Sequence, residues 1–203
     1  DMNATVPLLQ SAKNPNARNW RGRFPYNDII SLLDINRPFN LAESTSQDLT
    51  VGELIDLIGL EEIRAVKLGY GTSVGSASLR EVIAESAKVL PEQVITTQGT
   101  ALGLFLLAFE ACRPGDEAVL ATPCFPPSRD SLIGAGVKVH EVKLSFEQRY
   151  RLDLAGIEAR LSSRTKLVSI ASPQNPSGIK TTRTEVGELL AAIRPETELM
   201  LDL

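Results

Sequence analysis

From Val94 onward the chain alternates short apolar runs with longer amphipathic stretches. VITTQ (94–98), EAVLA (117–121), VKVHEV (137–142), KLVSIA (166–171) and ELMLDL (198–203) have the length and β-branched content of strands. Between them lie TALGLFLLAFEAC (100–112), PSRDSLIGAG (127–136), LDLAGIEARL (152–161) and TRTEVGELLAAI (182–193), which read as helices. Several of the runs are apolar almost throughout. Strands buried on both faces look like that, so the pattern predicts a mostly parallel sheet covered by helices on each side, an α/β fold of three layers α/β/α. Right-handed crossovers then bring the C-terminal ends of all strands to one edge, where ligands of such folds bind.

Before this region the signal changes. Residues 1 to about 50 carry NPNARNWRGRFP and INRPFN, which favour turns and extended chain, and they read as an N-terminal arm. Thr50 followed by Glu53 is a capping box, and Val51, Leu54, Ile55 and Ile58 follow at helical spacing. A Gly-rich loop, LGYGTSVGS, leads into a second helix over 76–89 with Leu79, Val82, Ile83 and Val89 on one face. The division expected is an arm with a small-domain segment over 1–50 and the first part of a large domain over 51–203.

Composition narrows the classes. With 203 residues, 43% of them hydrophobic and 23% charged, the chain is ordinary for a soluble domain. A net charge of −4 without blocks of like charge argues against nucleic acid as the main partner. No apolar run reaches the ~20 residues of a membrane span. Cys112 and Cys124 are too few for a disulfide framework, so a reducing cytoplasm is expected. No cluster suggests a metal, and the single His140 sits in a strand pattern and reads as structural. The first residue is Asp1 rather than Met, and Leu203 falls inside an apolar strand; both point to a longer parent protein.

Four segments at the expected strand ends carry chemistry. In TQGTA, Gly99 allows a tight turn, and Thr100 and Ala101 present N–H groups at a helix N-terminus, an anion site. There is no G-x-x-x-x-G-K-[ST] in the chain, so it is no P-loop. In ATPCFPP, three prolines stiffen the chain around Phe125, an aromatic able to stack on a flat ring; the plainer alternative is a Phe packed under its own helix. Cys124 beside it reads as a small filler. In SIASPQNPSG a buried strand breaks into two prolines, an amide pair and a glycine, and Asn175 is presented where an amide can donate to a ligand oxygen. Asp202 in MLDL is an acid in an apolar strand, costly unless paired, and suited to a protonated ring nitrogen.

A phosphate cradle, a stacking aromatic, an amide and an acid match one ligand, pyridoxal 5'-phosphate. In this order TQGTALGL, ATPCFPP, SPQNPSG and LMLDL resemble the class I/II, fold-type I pyridoxal-phosphate-dependent aminotransferases. Tyr70-Gly71-Thr72-Ser73-Val74-Gly75 through Leu79-Arg80 is similar to that family's Tyr-x4-Gly-x3-Leu-Arg segment, so the resemblance spans about 35–203. It implies a transferase of amino acid metabolism moving an amino group between an α-amino acid and a 2-oxo acid. It implies that Gly99, Thr100 and Ala101 bind the cofactor phosphate, Phe125 covers the ring, Asn175 bonds its hydroxyl oxygen and Asp202 its nitrogen. It also implies a homodimer in which Tyr70 reaches the neighbouring subunit's phosphate.

The family's Schiff-base lysine follows the Asp, and every lysine here precedes Asp202, so that residue is expected beyond Leu203. Leu203 stands where the family often has Glu. The ring-holding residues serve a lyase, cyclase or oxidase of the same fold equally well, and a non-catalytic aminotransferase-like domain is a third reading. None of them tells which amino donor or acceptor is used.

Overall fold

The computed structural model describes residues 47–203. The first 46 residues of the expected N-terminal arm therefore lie outside the described residues. The rest divides into two compact units, one reaching to Thr100 and the other running from Ala101 to Leu203.

In the first unit, helix α1 (Val51–Ile58) begins as the sequence implies. Thr50 Oγ1 accepts from the Glu53 N–H at 3.1 Å and the Thr50 N–H donates to Glu53 Oε2 at 2.8 Å, a closed capping box. Helix α2 (Leu60–Arg64) follows, then helix α3 (Ala77–Ala87), which stops at Lys88 in the left-handed region. Arg80 of α3 donates through Nε to the Val94 carbonyl at 2.8 Å and so anchors the segment behind the helix. That segment corrects one expectation: 94–98 is not a strand. Val94 has extended dihedrals, yet among the described residues the only sheet-like bond is the Thr96 N–H to the Val74 carbonyl at 3.1 Å. β-branched residues favour extended dihedrals, but a strand also needs a neighbouring ladder, and the described sheet offers it none.

The second unit is built around four strands: β1 (Glu117–Thr122), β2 (Lys138–Lys143), β3 (Thr165–Ala171) and β4 (Glu198–Asp202). All pairings are parallel and the order is β2-β1-β3-β4. Four helices of this half of the chain are α4 (Thr100–Ala111), α5 (Pro126–Gly134), α6 (Leu154–Glu158) and α7 (Arg183–Ala192). Helix α6 is shorter than the 152–161 expected. Asp153 caps its start by accepting from the Gly156 N–H at 2.8 Å, and after Ala159 the chain tightens into bonds from Arg160 to Ile157 and Leu161 to Glu158.

The period of two along the strands sorts their side chains into two cores. Ala118, Leu167 and Met200 face Leu104, Ala108 and Cys112 of the α4 segment and Leu132 of α5. Val119, Ala121, Val168 and Ile170 face Ile157 of α6 and Leu189 of α7. The central strands β1 and β3 are buried nearly throughout, as doubly covered strands must be. The unit is the three-layer α/β/α sheet that the apolar runs predict.

The order has a functional consequence. From β1 the chain moves to β2 on one side through α5, then returns across β1 to β3 through α6 on the opposite face. Right-handed crossovers that leave in opposite directions must use opposite faces, and their loops part at the C-terminal ends of β1 and β3.

Candidate functional site at the C-terminal edge of the sheet

The gap between β1 and β3 is where three of the expected segments meet. Paired register between these strands ends at Leu120 opposite Ser169. Beyond it, β1 runs into Pro123-Cys124-Phe125 and β3 into Ser172-Pro173-Gln174-Asn175. On the far side of β3, Ala171 is in register with Asp202, and the Ser172 N–H donates to the Asp202 carbonyl at 2.8 Å. Leu120, Ser169, Cys124, Ser128, Gln174 and Asp202 line one narrow cleft.

Asp202 lies two positions after Met200, so it shares the sheet face of Met200 and of α4 and α5. Its carboxylate is half-buried and has no hydrogen bond or ion pair with any described residue. Burial pushes its pKa up from the ordinary carboxylate value. An acid so placed gains from any cationic N–H brought against it.

Asn175 is exposed, and its side-chain amide makes no hydrogen bond with any described residue. Its neighbour Gln174 is the buried one, at 6% exposure. The Gln174 Nε2 donates to the Pro123 carbonyl and, at 2.8 Å, to the Asn175 carbonyl, while Oε1 accepts from the Ser177 N–H at 2.9 Å. In the sequence Gln174 carries one signal, an amide set among prolines in a loop that must leave a buried strand.

Phe125 stands at the N-terminal boundary of α5, half-buried, and packs against the apolar cluster on that face. The packed alternative raised for this ring therefore describes part of its surface. Cys124 is half-buried, and burial pushes its thiol up to about 11, which fits a filler and not a nucleophile.

Helix α4 leads into β1 through the short connection 112–116. Its C-terminal end is thus at the N-terminal edge of the sheet, and Ala101 lies in the first turn at the helix's other end. Gly99 occupies the left-handed region at φ +78°, and its N–H donates to the Thr97 carbonyl at 2.9 Å. Thr100 and Ala101 are exposed at the start of α4, where helix N–H groups have no intrahelical acceptor. Tyr70 belongs to the first unit, is fully exposed and makes no hydrogen bond with any described residue.

His140 lies away from this edge, as its structural reading requires. Its Nε2 is 3.3 Å from Glu117 Oε2 at the start of β1. The buried Glu117 also accepts from Ser162 Oγ at 2.7 Å and from Arg164, with Lys138 Nζ at 3.6 Å. The Ser162 hydroxyl first, and then Arg164, hold its carboxyl down at about 2 against the opposing effect of burial.

The second unit is a doubly wound α/β domain whose sheet carries at its C-terminal edge an acid, Asp202, and an exposed amide, Asn175, that have no side-chain partner among the described residues. The chain belongs to the aminotransferase class I and II family, which it matches over residues 38–202. Histidinol-phosphate aminotransferase 2 of Carboxydothermus hydrogenoformans is 30% identical over 136 residues, 67% of this chain and 37% of that protein. Capreomycidine synthase of Streptomyces vinaceus is 34% identical over 160 residues, 75% of this chain and 41% of that one. The structure of aspartate aminotransferase from Thermus thermophilus with maleate superposes with a TM-score of 0.68 at 26% identity, covering 73% of this chain and 41% of the other. The chain thus spans about two fifths of the length of the relatives it matches.

Proposed function

We propose that this chain contributes the first part of the cofactor site of a pyridoxal-phosphate-dependent aminotransferase, which moves an amino group between an α-amino acid and a 2-oxo acid. The observation that carries the reading is Asp202: a half-buried carboxylate with no partner among the described residues, raised in pKa by burial, at the C-terminal edge of the sheet. A pyridinium N–H is the partner this acid lacks, so the residues present fit the group.

When bound, the cofactor supplies an electron sink for negative charge at the amino acid's α-carbon. The residues of this chain hold it in a reactive state. Asp202 keeps a proton on the ring nitrogen through an ion pair. The free amide of Asn175 donates to the ring oxygen. The N–H groups at Gly99, Thr100 and Ala101 take the phosphate without a titrating side chain, aided by the positive end of the helix dipole. Phe125 offers the remaining exposed part of its ring to the cofactor's face. The family resemblance gives Tyr70 to the phosphate of a second subunit, in a homodimer. Cys112 and Cys124 are both free thiols, in keeping with a cytoplasmic protein. Among the described residues no helix is long and apolar enough to cross a membrane, and no cluster of metal-binding side chains occurs.

The test is borohydride reduction of the native full-length protein, followed by intact mass. A mass increased by one pyridoxyl-phosphate group is expected, and Asn175→Ala should shift the absorbance of the bound cofactor. A protein that takes up no cofactor, with neither adduct nor absorbance change on adding pyridoxal phosphate, overturns the reading.

A further inference from the structure

We propose that Gln174 is a positioning residue, whose buried amide clamps the exit loop of β1 to the exit loop of β3 and thereby sets the spacing between Phe125 and Asn175. The inference rests on the cofactor reading above.

The topology makes such a clamp necessary. Strands β1 and β3 share their last paired position at Leu120 and Ser169, and their loops then part at the switch point. No main-chain bond joins the two loops among the described residues. The Gln174 Nε2 bond to the Pro123 carbonyl is the link between them, one residue before Cys124 and two before Phe125. The same amide holds its own loop in shape. Nε2 donates to the Asn175 carbonyl at 2.8 Å, Oε1 accepts from the Ser177 N–H at 2.9 Å, and the Gln174 backbone exchanges bonds with Ile179 at 2.8 Å and Gly178 at 2.6 Å. Both amide hydrogens and one oxygen lone pair are therefore used, at 6% exposure. A buried amide this fully bonded has one orientation, because any other strands a polar group away from water. The side chain never needs to touch the ligand; it fixes the two loops that do.

The experiment measures pyridoxal phosphate affinity and the absorbance band of the bound cofactor in the full-length protein and in Gln174→Ala, Gln174→Glu and Thr182→Ala. Gln174→Glu keeps the acceptor for Ser177 and removes the donors to Pro123 and Asn175. Thr182→Ala removes a helix cap on the opposite face and controls for a general loss of stability. Both Gln174 variants are expected to lose about tenfold or more in affinity, as displaced supporting groups do, and to shift the band. Thr182→Ala is expected to leave both unchanged. Wild-type affinity and spectrum in a folded Gln174 variant overturn the inference, as does an equal loss in Thr182→Ala. If Gln174→Ala does not fold, Gln174→Glu decides. If the wild-type protein itself binds no pyridoxal phosphate, the cofactor reading falls instead, so the two failures are distinct.

Discussion

The backbone N–H of Ser172 donates to the carbonyl of Asp202 at 2.8 Å. This bond closes the Ala171–Asp202 pair, the last of the β3–β4 ladder, and it sets the residue that opens the SPQNPSG loop beside the acid that ends β4. Two segments separated by a helix in sequence thus share one edge.

Asp202 should make the cofactor-free protein less stable as pH rises. Its carboxyl is raised in the folded state by burial, so the unfolded chain releases the proton first, near 3.8. Stability falls as pH rises from that value to the higher folded one, then levels off. Asp202→Asn should flatten this limb and raise the melting temperature of the apoprotein at neutral pH, while weakening cofactor binding. Thermal melts between pH 4 and 8 check it; an Asn variant that melts lower at neutral pH would count against an unpartnered acid.

Glu117 should act in the opposite direction and at a lower pH. Its folded value of about 2 lies below the ordinary 4.5, so its contribution is complete above 4.5 and is lost as pH falls toward 2. Glu117→Gln should reduce the loss of stability over that window, from a lower starting point, because Arg164 and Lys138 lose their shared anion. Acid titration followed by far-UV circular dichroism reads both features.

Thr182→Ala should cost about 1 kcal/mol. The hydroxyl accepts from the Glu185 N–H at 3.2 Å and donates to Glu185 Oε2 at 2.7 Å, so the substitution opens the side-chain half of the box and leaves the bond from the backbone N–H of residue 182 to the Glu185 carboxylate. Urea denaturation with an unchanged slope is the measurement; a loss below ~0.3 kcal/mol would show that the cap is redundant.

Gly75 and Gly99 should respond differently to alanine although both have positive φ. A Cβ on Gly75, at φ +100°, would lie 1.9 Å from Thr96 Oγ1. One on Gly99, at φ +78°, would meet nothing within 4 Å. Gly99→Ala should cost only the left-handed strain, roughly 1–2 kcal/mol. Gly75→Ala should cost more, and Gly75→Ala combined with Thr96→Ala should recover part of the difference. Equal losses in the two single variants would refute the clash.

Much of this was legible in the chain because it depends on neighbours in sequence. The apolar runs KLVSIA and EAVLA have the length and apolar content of doubly buried strands, and Thr50–Glu53 announces a helix start through a bond three residues long. The segments carrying Gly99, Phe125, Asn175 and Asp202 were equally visible, since glycine, proline and a misplaced acid act on the local backbone. What tertiary structure alone decided is pairing. VITTQ starts with extended dihedrals at Val94 but finds no ladder among the described residues, because a strand needs a partner that local sequence does not specify. The order β2-β1-β3-β4, which opens the crevice between β1 and β3, follows from crossovers on opposite faces. Gln174 became the buried clamp, and Asn175 the exposed amide, only once the Pro123 carbonyl arrived from a loop some fifty residues away to accept its hydrogen bond.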